Sequence, residues 1–392
     1  MRFLIVNTDY PEFLAWLYCE HPRLKDQVYD EQVRIRSDTL HGASSFYASN
    51  LRQLGHEAWD VRANNEFMQR AWAHEHGLRI EEPKRLHQGA YEILQRGRRV
   101  VPKTVRRNLK PLFRPLLHSP GDRQAWLYGV LSAQIKRYRP DVLLNQNIGL
   151  SSNFFREAKP YTRLLVGQHA SPLPHRQDLS VYDLIISSLP NLVDHFTREG
   201  IRSELHRFGF EPRVLTMLGE VKTSVKVSFV GSVFPVHASR RRWLEYVCQR
   251  TSVEIWGQDV SSLSNGSPIV GCHRGTAWGL DMYRILQSSH ITLNHHIDVA
   301  ECYANNMRLF EATGAGTLLI TDWKENLHEL FEPDREVVAY RTPQECVELI
   351  HYYLNHDDER TAIAQAGRER TLREHTYYDR MKRLVEIVSK FL

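Results

Sequence analysis

Residues 294–322 read NHHIDVAECYANNMRLFEATGAGTLLITD and combine a polar loop, a short helix, a glycine turn and a buried strand. The loop is rich in histidine, and the helix that follows it is amphipathic. Gly314 ends the helix, and Gly316 permits the tight return into the apolar run TLLITD. This order of elements is typical of an α/β domain.

The helix of this stretch carries an arginine and a glutamate on one face. Arg308 and Glu311 are three residues apart, and Asn305 or Asn306 can cap the first turn. Free amides at a helix start favour phosphate, a guanidinium binds phosphate oxygens in pairs, and a carboxylate accepts hydrogen bonds from ribose hydroxyls. The pattern predicts a nucleoside diphosphate site. The alternative is an ordinary surface ion pair, worth less than about 1 kcal/mol.

Size and composition favour a soluble protein with two domains. The chain has 392 residues, of which 42% are hydrophobic and 25% charged. No apolar run reaches the ~18 residues of a membrane span, and Asn7 and Asp9 interrupt the first apolar run, which predicts a strand rather than a signal peptide. The five cysteines are widely spaced without a CxxC pair, so we expect reduced thiols in a cytoplasmic protein and no zinc site.

Strand and helix patterns alternate along the chain in two series. The first series includes SDTLHGASSFYASNLRQLGHEAWDV, where a helix, a Gly-His-Glu turn and a strand form part of a βαβ unit. We predict an α/β fold with two successive doubly wound halves. The predicted domains are residues 1–218, with a helical insertion at about 62–125, and residues 219–376. A final helix, 377–392, is predicted to cross back to the first domain.

A basic segment lies inside the predicted insertion. Residues 96–118 read RGRRVVPKTVRRNLKPLFRPLLH and carry eight Lys or Arg with interleaved apolar residues and no acid. One interpretation is a surface that meets anionic lipid, which places the protein at the inner face of the membrane. The other is a helical hairpin, broken by three prolines, whose apolar side packs on its own domain.

Several histidines follow predicted strands, where doubly wound sheets bind their ligands. His169, in VGQHASPLP, is expected either to contact an acceptor hydroxyl and handle its proton or to be a loop residue held by hydrogen bonds. His295 and His296 are adjacent on an extended chain and point apart, so we expect sugar or phosphate contacts rather than a shared metal ion. His237, close to Arg240, is a candidate phosphate contact.

Motifs of other enzyme classes are missing from the sequence. It contains neither a Walker A motif nor GxSxG, and GAGT follows a helix rather than a strand, so it is not the dinucleotide fingerprint. The absence of GxSxG argues against an α/β-hydrolase.

The second half resembles a known family. The stretch 294–322, together with VSFVGS, IWG, LFEPDREVVAY and HYYLNHDDERTAIAQAGRERTLREHTYYDR, resembles the CgeB-like (spore-maturation) branch of the group 1 glycosyltransferases, similar to glycosyltransferase family 4. The resemblance covers about residues 225–392. It implies the GT-B fold, in which two facing Rossmann-like domains with parallel sheets have a cleft between them. It also implies transfer of a sugar from a nucleotide diphosphate-sugar to a hydroxyl of a glycan, lipid-linked saccharide or protein. It implies neither a cofactor nor an obligatory metal, and no nucleic-acid partner.

The resemblance also implies roles for individual residues. Glu311 matches the carboxylate that binds the donor's ribose, and Asn306 and Arg308 match the polar positions before it. His169, Glu301 and Arg308 are the candidate catalytic residues. The full set of candidate donor-binding residues is Gly231, Ser232, His237, Arg240, Trp256, Gly257, Tyr283, His295, His296, Asn306, Arg308 and Glu311.

One position departs from the family pattern. Many retaining relatives have a second glutamate eight positions before the ribose-binding one, but Tyr303 stands there and the nearest acid is Glu301. Either Glu301 or main-chain groups would then contact the sugar. The departure keeps two alternatives open: a non-catalytic GT-B-like surface-assembly protein and a nucleotide-sugar epimerase.

Overall fold

The computed structural model describes residues 1–80, 120–173, 177–233, 238–258, 260, 263, 264 and 266–392, and every structural statement refers to these residues. They form two compact units. The smaller unit contains residues 7–35 and 61–139, and the larger contains residues 1–6, 36–60 and 140–392. The basic segment 96–118 lies outside the described residues, so its contact with a membrane stays a prediction.

The larger unit contains two six-stranded sheets. In the first, the strand order is β2-β1-β3-β4-β5-β6, and in the second it is β12-β11-β10-β7-β8-β9. The strands of the first sheet are β1 (Arg2–Asn7), β2 (Glu57–Arg62), β3 (Val142–Asn145), β4 (Leu164–Gln168), β5 (Leu184–Ser187) and β6 (Ser203–Leu205). Those of the second are β7 (Val225–Val230), β8 (Val253–Trp256), β9 (His273–Gly275), β10 (Ser289–Leu293), β11 (Leu318–Asp322) and β12 (Val338–Tyr340).

Helices connect the strands and cover the sheets. They are α1 (Pro11–Glu20), α2 (Tyr29–Asp38), α3 (Ser44–Gln53), α4 (Glu66–Glu75), α5 (Pro120–Tyr138), α6 (Ser152–Ala158), α7 (Pro190–Arg198), α8 (Arg213–Leu218), α9 (Ala238–Cys248), α10 (Pro268–Cys272), α11 (Gly279–Gln287), α12 (Met307–Ala315), α13 (Pro343–Asn355), α14 (Asp357–Glu374) and α15 (Tyr377–Ser389). None of these described helices combines the length and the apolar character needed to cross a bilayer.

The central strands are continuous apolar runs because both faces of each sheet are covered. The four middle side chains of β1 and all five residues of β4 are buried. In the first sheet, each neighbouring pair from β1 through β3, β4 and β5 to β6 is parallel. All neighbouring pairs of the second sheet are parallel as well. The predicted α/β class is therefore confirmed, and the carboxyl ends of the strands in each sheet meet at one edge.

The smaller unit has its own apolar cluster. Trp72 and Met68 of α4 pack with Tyr29 and Val130. The indole of Trp72 also donates a hydrogen bond of 3.2 Å to the Tyr138 hydroxyl. This cluster joins α4, which lies in the predicted insertion, to α2 and α5.

The segment after β6 is held by the end of the chain. The Phe210 amide donates to the His375 carbonyl, and the Tyr377 amide donates to the Phe210 carbonyl, each at 2.8 Å. The Phe210 ring lies so close to α12 that a Cβ on Gly314 would be 2.4 Å from it, so only glycine fits there. The Tyr377 ring packs on Phe46 of α3, with 5.1 Å between the ring centres. Helix α15 therefore packs against a helix of the first half.

Candidate functional site

The start of α12 is fixed to the ends of two strands. Asn306 caps the helix, because its side-chain oxygen accepts a hydrogen bond of 3.2 Å from the Leu309 amide. Its side-chain nitrogen donates to Asn294 at 2.6 Å, and Asn294 donates to the Thr321 hydroxyl at 2.9 Å. The helix start therefore lies beside the carboxyl ends of β10 and β11, where a doubly wound sheet binds ligands.

Arg308 and Glu311 form a buried ion pair on α12. Their nearest nitrogen and oxygen are 3.0 Å apart, and the two side chains are only 13% and 6% exposed. The alternative of an ordinary surface pair is therefore wrong. The Tyr283 hydroxyl of α11 lies 3.4 Å from the other carboxylate oxygen of Glu311, and the Nε of Arg308 is buried without a hydrogen-bond partner among the described residues.

Burial also changes the pKa of the Glu311 carboxyl group. Burial raises the pKa of Glu311 above its usual range, while the positive charge of Arg308 and the hydrogen bond from Tyr283 act in the opposite direction. A buried carboxylate of this kind depends on its few partners. A ligand that replaces one of them must supply a comparable charge or hydrogen bond.

The ends of β7, β8 and β9 are joined through glycines. The Gly231 amide donates to the Trp256 carbonyl at 2.9 Å, and the Gly257 amide donates to the Gly275 carbonyl at 3.0 Å. A Cβ on Gly257 would lie 2.0 Å from the Gly231 carbonyl oxygen. Only glycine at 257 allows the two turns to approach this closely.

Arg240 ties two loops together. Its guanidinium donates to the His295 carbonyl through two nitrogens, at 3.0 and 2.8 Å, and to the Ser232 carbonyl at 3.4 Å. Burial lowers the pKa of Arg240 to about 10. In this structure Arg240 shapes the turn after β7 through main-chain contacts, and its direct contact with a donor stays a prediction.

The adjacent histidines point to different partners, as their extended backbone predicts. His295 stacks on Trp243, with 4.9 Å between the ring centres, and its Nδ1 lies 2.9 Å from the Tyr340 hydroxyl. Burial lowers the pKa of His295 to about 4, so the ring is neutral at physiological pH. His296 is buried and contacts Asp322, which accepts from its main-chain amide at 2.9 Å and lies 2.6 Å from its Nδ1.

Asp322, at the end of β11, contacts positive and polar groups. Its second oxygen lies 3.4 Å from the Lys324 ammonium group. Burial alone would raise the pKa of Asp322, but the charge and hydrogen bond of His296, followed by His295 and Lys324, hold it well below its usual range. No cluster of three or more His, Cys, Asp or Glu among the described residues could hold a metal ion.

The loop between β10 and α12 has an unusual backbone at Glu301. Its φ of 51° lies in the region that side chains other than glycine rarely adopt, and its side chain is exposed. The Glu301 carbonyl accepts a hydrogen bond of 2.6 Å from Lys324, and Asp298 in the same loop accepts one from Ser239. Close in sequence to the missing glutamate, the structure therefore has the exposed side chain of Glu301 and its main-chain contact with Lys324.

The first sheet ends in neutral polar groups. Gln146 donates to Gln168 at 2.8 Å, and Gln168 donates to the Tyr47 hydroxyl at 2.9 Å. Asn145 donates to the Tyr182 hydroxyl at 2.7 Å. His169 follows β4, and burial lowers its pKa.

The structure therefore separates the candidates into groups. One group surrounds the start of α12: Asn306, Arg308, Glu311 and Tyr283. A second connects the strand ends: Gly231, Ser232, Arg240, Trp256, Gly257 and His295. His296 pairs with Asp322, Glu301 is exposed, and His169 lies on the first sheet. His237 lies outside the described residues.

Sequence reasoning missed three residues that complete this arrangement. Asn294, Asp322 and Tyr340 each lie at or just after a strand end and bind a candidate residue. Asn294 and Asp322 are polar residues at the ends of apolar runs, so the strand-end rule that selected His169 could also have selected them. Tyr340 had no comparable signal.

Part of the second half matches a known protein family. Residues 237–386 match the family described as Glycosyl transferase-like. This match includes α12 with Arg308 and Glu311, and it confirms the predicted enzyme class, a glycosyltransferase, for this part of the chain. The narrower CgeB-like branch stays a prediction. No curated protein matches the chain in sequence.

Solved structures of glycosyltransferases share the fold. A glycosyltransferase from Rickettsia africae is 11% identical, covers 100% of this chain and 98% of its own, and has a TM-score of 0.56. HepE from Anabaena, in complex with UDP and glucose, is 11% identical with a TM-score of 0.58, and the match covers 100% of both chains. AviGT4, involved in avilamycin A biosynthesis, is 14% identical over 88% of this chain and 89% of its own, with a TM-score of 0.51. The predicted GT-B fold is confirmed.

Proposed function

We propose that the protein transfers a sugar from a nucleoside diphosphate-sugar to a hydroxyl of an acceptor. The observation that carries the proposal is the buried Arg308–Glu311 pair at the start of α12. It lies in the part of the chain that matches the glycosyltransferase-like family, beside the strand ends of a GT-B fold. The guanidinium of Arg308 suits the diphosphate, and the carboxylate of Glu311 can accept hydrogen bonds from the ribose hydroxyls.

The ion pair would exchange partners when the donor binds. Arg308 would leave Glu311 for the diphosphate, and Glu311 would accept hydrogen bonds from the ribose hydroxyls in its place. Tyr283 would hold the carboxylate in position, since its hydroxyl already lies 3.4 Å from Glu311. Because both charges keep a partner throughout, neither is left buried and alone.

The remaining diphosphate contacts would come from main-chain amides. The turn at Gly231 and Ser232 and the start of α12 lie at strand ends, where doubly wound sheets bind their ligands, and the amides of a helix start favour phosphate. Arg240 would keep the first of these turns in shape through its bonds to Ser232 and His295. These groups would stabilise the negative charge that develops on the departing diphosphate, so we propose transfer without an obligatory metal.

The acceptor would bind at the ends of the first sheet. Gln146, Gln168 and His169 offer neutral donors and acceptors that suit the hydroxyls of a glycan, a lipid-linked saccharide or a protein. Burial lowers the pKa of His169, so its ring is neutral near pH 7 and can accept a proton from the reacting hydroxyl.

We further place the protein in the CgeB-like branch and in the cytoplasm, with residues 96–118 on an anionic membrane surface. The sequence motifs of the second half and the eight basic residues of that segment support these assignments. Binding to phosphatidylserine vesicles that weakens with salt is the expected result. Equal binding after neutralising all eight basic residues contradicts the membrane contact.

A donor panel tests the reaction. Purified protein is incubated with UDP-glucose and other nucleotide sugars, with and without saccharide acceptors, and released nucleotide and sugar products are measured. The UDP and glucose bound to HepE make UDP-glucose a reasonable first donor. Acceptor-dependent release of nucleoside diphosphate is the expected result. Isomerised donor without acceptor would instead identify an epimerase, and no turnover with any donor would favour the non-catalytic alternative.

A further inference from the structure

A cavity of about 300 Å³ lies between the end of β6 and α15. None of the residues around it belongs to the candidate site for the donor or the acceptor. Glu204, Leu205, His206, Arg207, Arg380 and Arg383 line it.

Arg380 brings an uncompensated charge to this cavity. Its guanidinium donates to the Phe208 carbonyl at 2.6 Å and to the Glu374 carbonyl at 3.2 Å, and it lies 2.9 Å from the His375 Nδ1. All three partners are neutral, and the described residues supply no carboxylate that pairs with it. Burial, followed by the charge of Arg207, lowers the pKa of Arg380 to about 10. A bound anion would compensate this charge.

His206 supplies an unused hydrogen-bonding group. Its side chain is 1% exposed, and neither ring nitrogen has a hydrogen-bond partner among the described residues. Burial, followed by the charges of Arg380 and Arg383, lowers its pKa to about 3. The ring is therefore neutral at physiological pH and retains one N–H donor, a group that is costly to bury without an acceptor.

The other charged groups around the cavity each have an oppositely charged neighbour. Arg207 is paired with Glu329, and Arg383 lies 2.9 Å from a carboxylate oxygen of Glu386. Glu204 is the one acid that lines the cavity, and it is 3.7 Å from the Lys390 ammonium group. The net positive charge of the cavity therefore comes from Arg380.

We infer that this cavity binds a phosphate group, either as the free ion or on a small phosphomonoester. Guanidinium groups pair with phosphate oxygens in a fixed fork, and His206 adds a neutral donor. The cavity volume is at the lower end of the range for small-molecule sites. It therefore admits a phosphate that carries a group no larger than about one sugar ring. This site is separate from the proposed nucleotide-binding site at α12.

Calorimetric titrations at constant ionic strength test this site with two probes, inorganic phosphate and glucose 6-phosphate. Saturable binding of at least one probe to the wild-type protein is expected. Tighter binding of glucose 6-phosphate identifies a phosphomonoester site, and tighter binding of inorganic phosphate identifies a site for the free ion. Absence of saturable binding by both probes overturns the inference.

Two neighbouring substitutions locate the binding. Arg383→Gln should weaken the better probe about tenfold or more, because a charged hydrogen bond is lost. Lys382→Gln is the matched control, since Lys382 lies on the same helix, is equally exposed, pairs with Asp379 and does not line the cavity. Its affinity should equal that of the wild-type protein. Equal weakening in both variants, or none in Arg383→Gln, contradicts the assignment.

A third variant separates this site from the donor site. Arg308→Gln should leave the affinity for the better probe unchanged, because Arg308 lies on α12 and does not line the cavity. Loss of probe binding in Arg308→Gln would place the phosphate at the nucleotide site and overturn the inference. Circular dichroism of each variant checks that the fold is retained.

Discussion

The two sheets of this protein end in different chemistry. Beyond the first sheet, Gln146, Gln168 and Tyr47 form a chain of neutral amide and phenol groups. Beyond the second, the polar groups are charged and paired, as in Arg308 with Glu311. The difference fits the proposed function, in which the second sheet would serve an anionic donor and the first would serve the hydroxyls of an acceptor.

The energetic consequences of this difference are also distinct. A buried charge that loses its partner costs several kcal/mol, whereas a neutral hydrogen bond contributes about 1 kcal/mol. The second sheet must therefore exchange one charged partner for another when a ligand binds. The first can rearrange for different hydroxyl-bearing molecules at lower cost.

The largest expected effect is on the second sheet. Arg308→Ala leaves Glu311 buried without its charged partner, and we expect the free energy of unfolding to fall by about 3–5 kcal/mol. Urea denaturation measures this change. Arg335→Ala is the control, because it breaks an exposed pair of the same i,i+3 spacing with Glu332, and it should cost less than about 1 kcal/mol. Similar costs in the two variants contradict the distinction between buried and exposed pairs.

The next effect concerns Asp322 and depends on pH. Asp322→Asn should cost about 1.5–3 kcal/mol near pH 7, since hydrogen bonds to His296 lose their charged acceptor. The folded pKa of Asp322 is depressed, so its contribution is present above the unfolded pKa of about 3.9 and is lost as pH falls through the folded pKa. The stability gap between wild type and variant should therefore shrink below about pH 4. A gap that stays constant down to the acid limit of folding contradicts this assignment.

Glu311 should show the opposite pH dependence. Its folded pKa is raised by burial, so the stability linked to its protonation is fully present below the unfolded pKa and is lost as pH rises through the folded pKa. Wild type should gain stability relative to Glu311→Gln as pH falls from 7 towards 4. Thermal or urea unfolding of both proteins over this range measures the change. If this stability difference changed with pH in the same direction as that of Asp322→Asn, the raised pKa of Glu311 would be contradicted.

The smallest expected effect on stability is on the first sheet. Gln168→Leu removes neutral hydrogen bonds to Gln146 and Tyr47 and should cost about 1 kcal/mol. Donor affinity should be unchanged, while transfer to an acceptor should fall about tenfold through a higher acceptor KM. Loss of nucleotide binding in this variant would contradict the division between the sheets. Calorimetry and steady-state kinetics supply the two readouts.

Local patterns predicted the elements but not their surroundings. The apolar run of β1 predicted the strand Arg2–Asn7, and the i,i+3 spacing predicted that Arg308 and Glu311 are neighbours. The burial of that pair was not predictable, because Tyr283 approaches it from another helix. Gly314 was expected to end α12, but the helix continues to Ala315, and Gly316 ends it in the left-handed conformation.

The partners of Arg240 and His295 show where sequence reasoning stopped. The resemblance implied a donor contact for Arg240, yet its guanidinium bonds the carbonyl of His295, which is 55 positions away. His295 stacks on Trp243, and its expected contact with a sugar or phosphate stays a prediction. Neither contact leaves a local periodic signal, because both arise when separate strand ends meet at one edge of the sheet.

Calorimetric titration of nucleoside diphosphates, beginning with UDP, tests the central claim most directly. Wild-type protein should bind at least one of them, and Glu311→Gln should bind it at least about tenfold more weakly because the ribose loses a charged acceptor. Glu332→Gln, which alters the exposed pair with Arg335, should bind it normally. Normal affinity in folded Glu311→Gln would contradict the assignment of the nucleotide-binding site to α12.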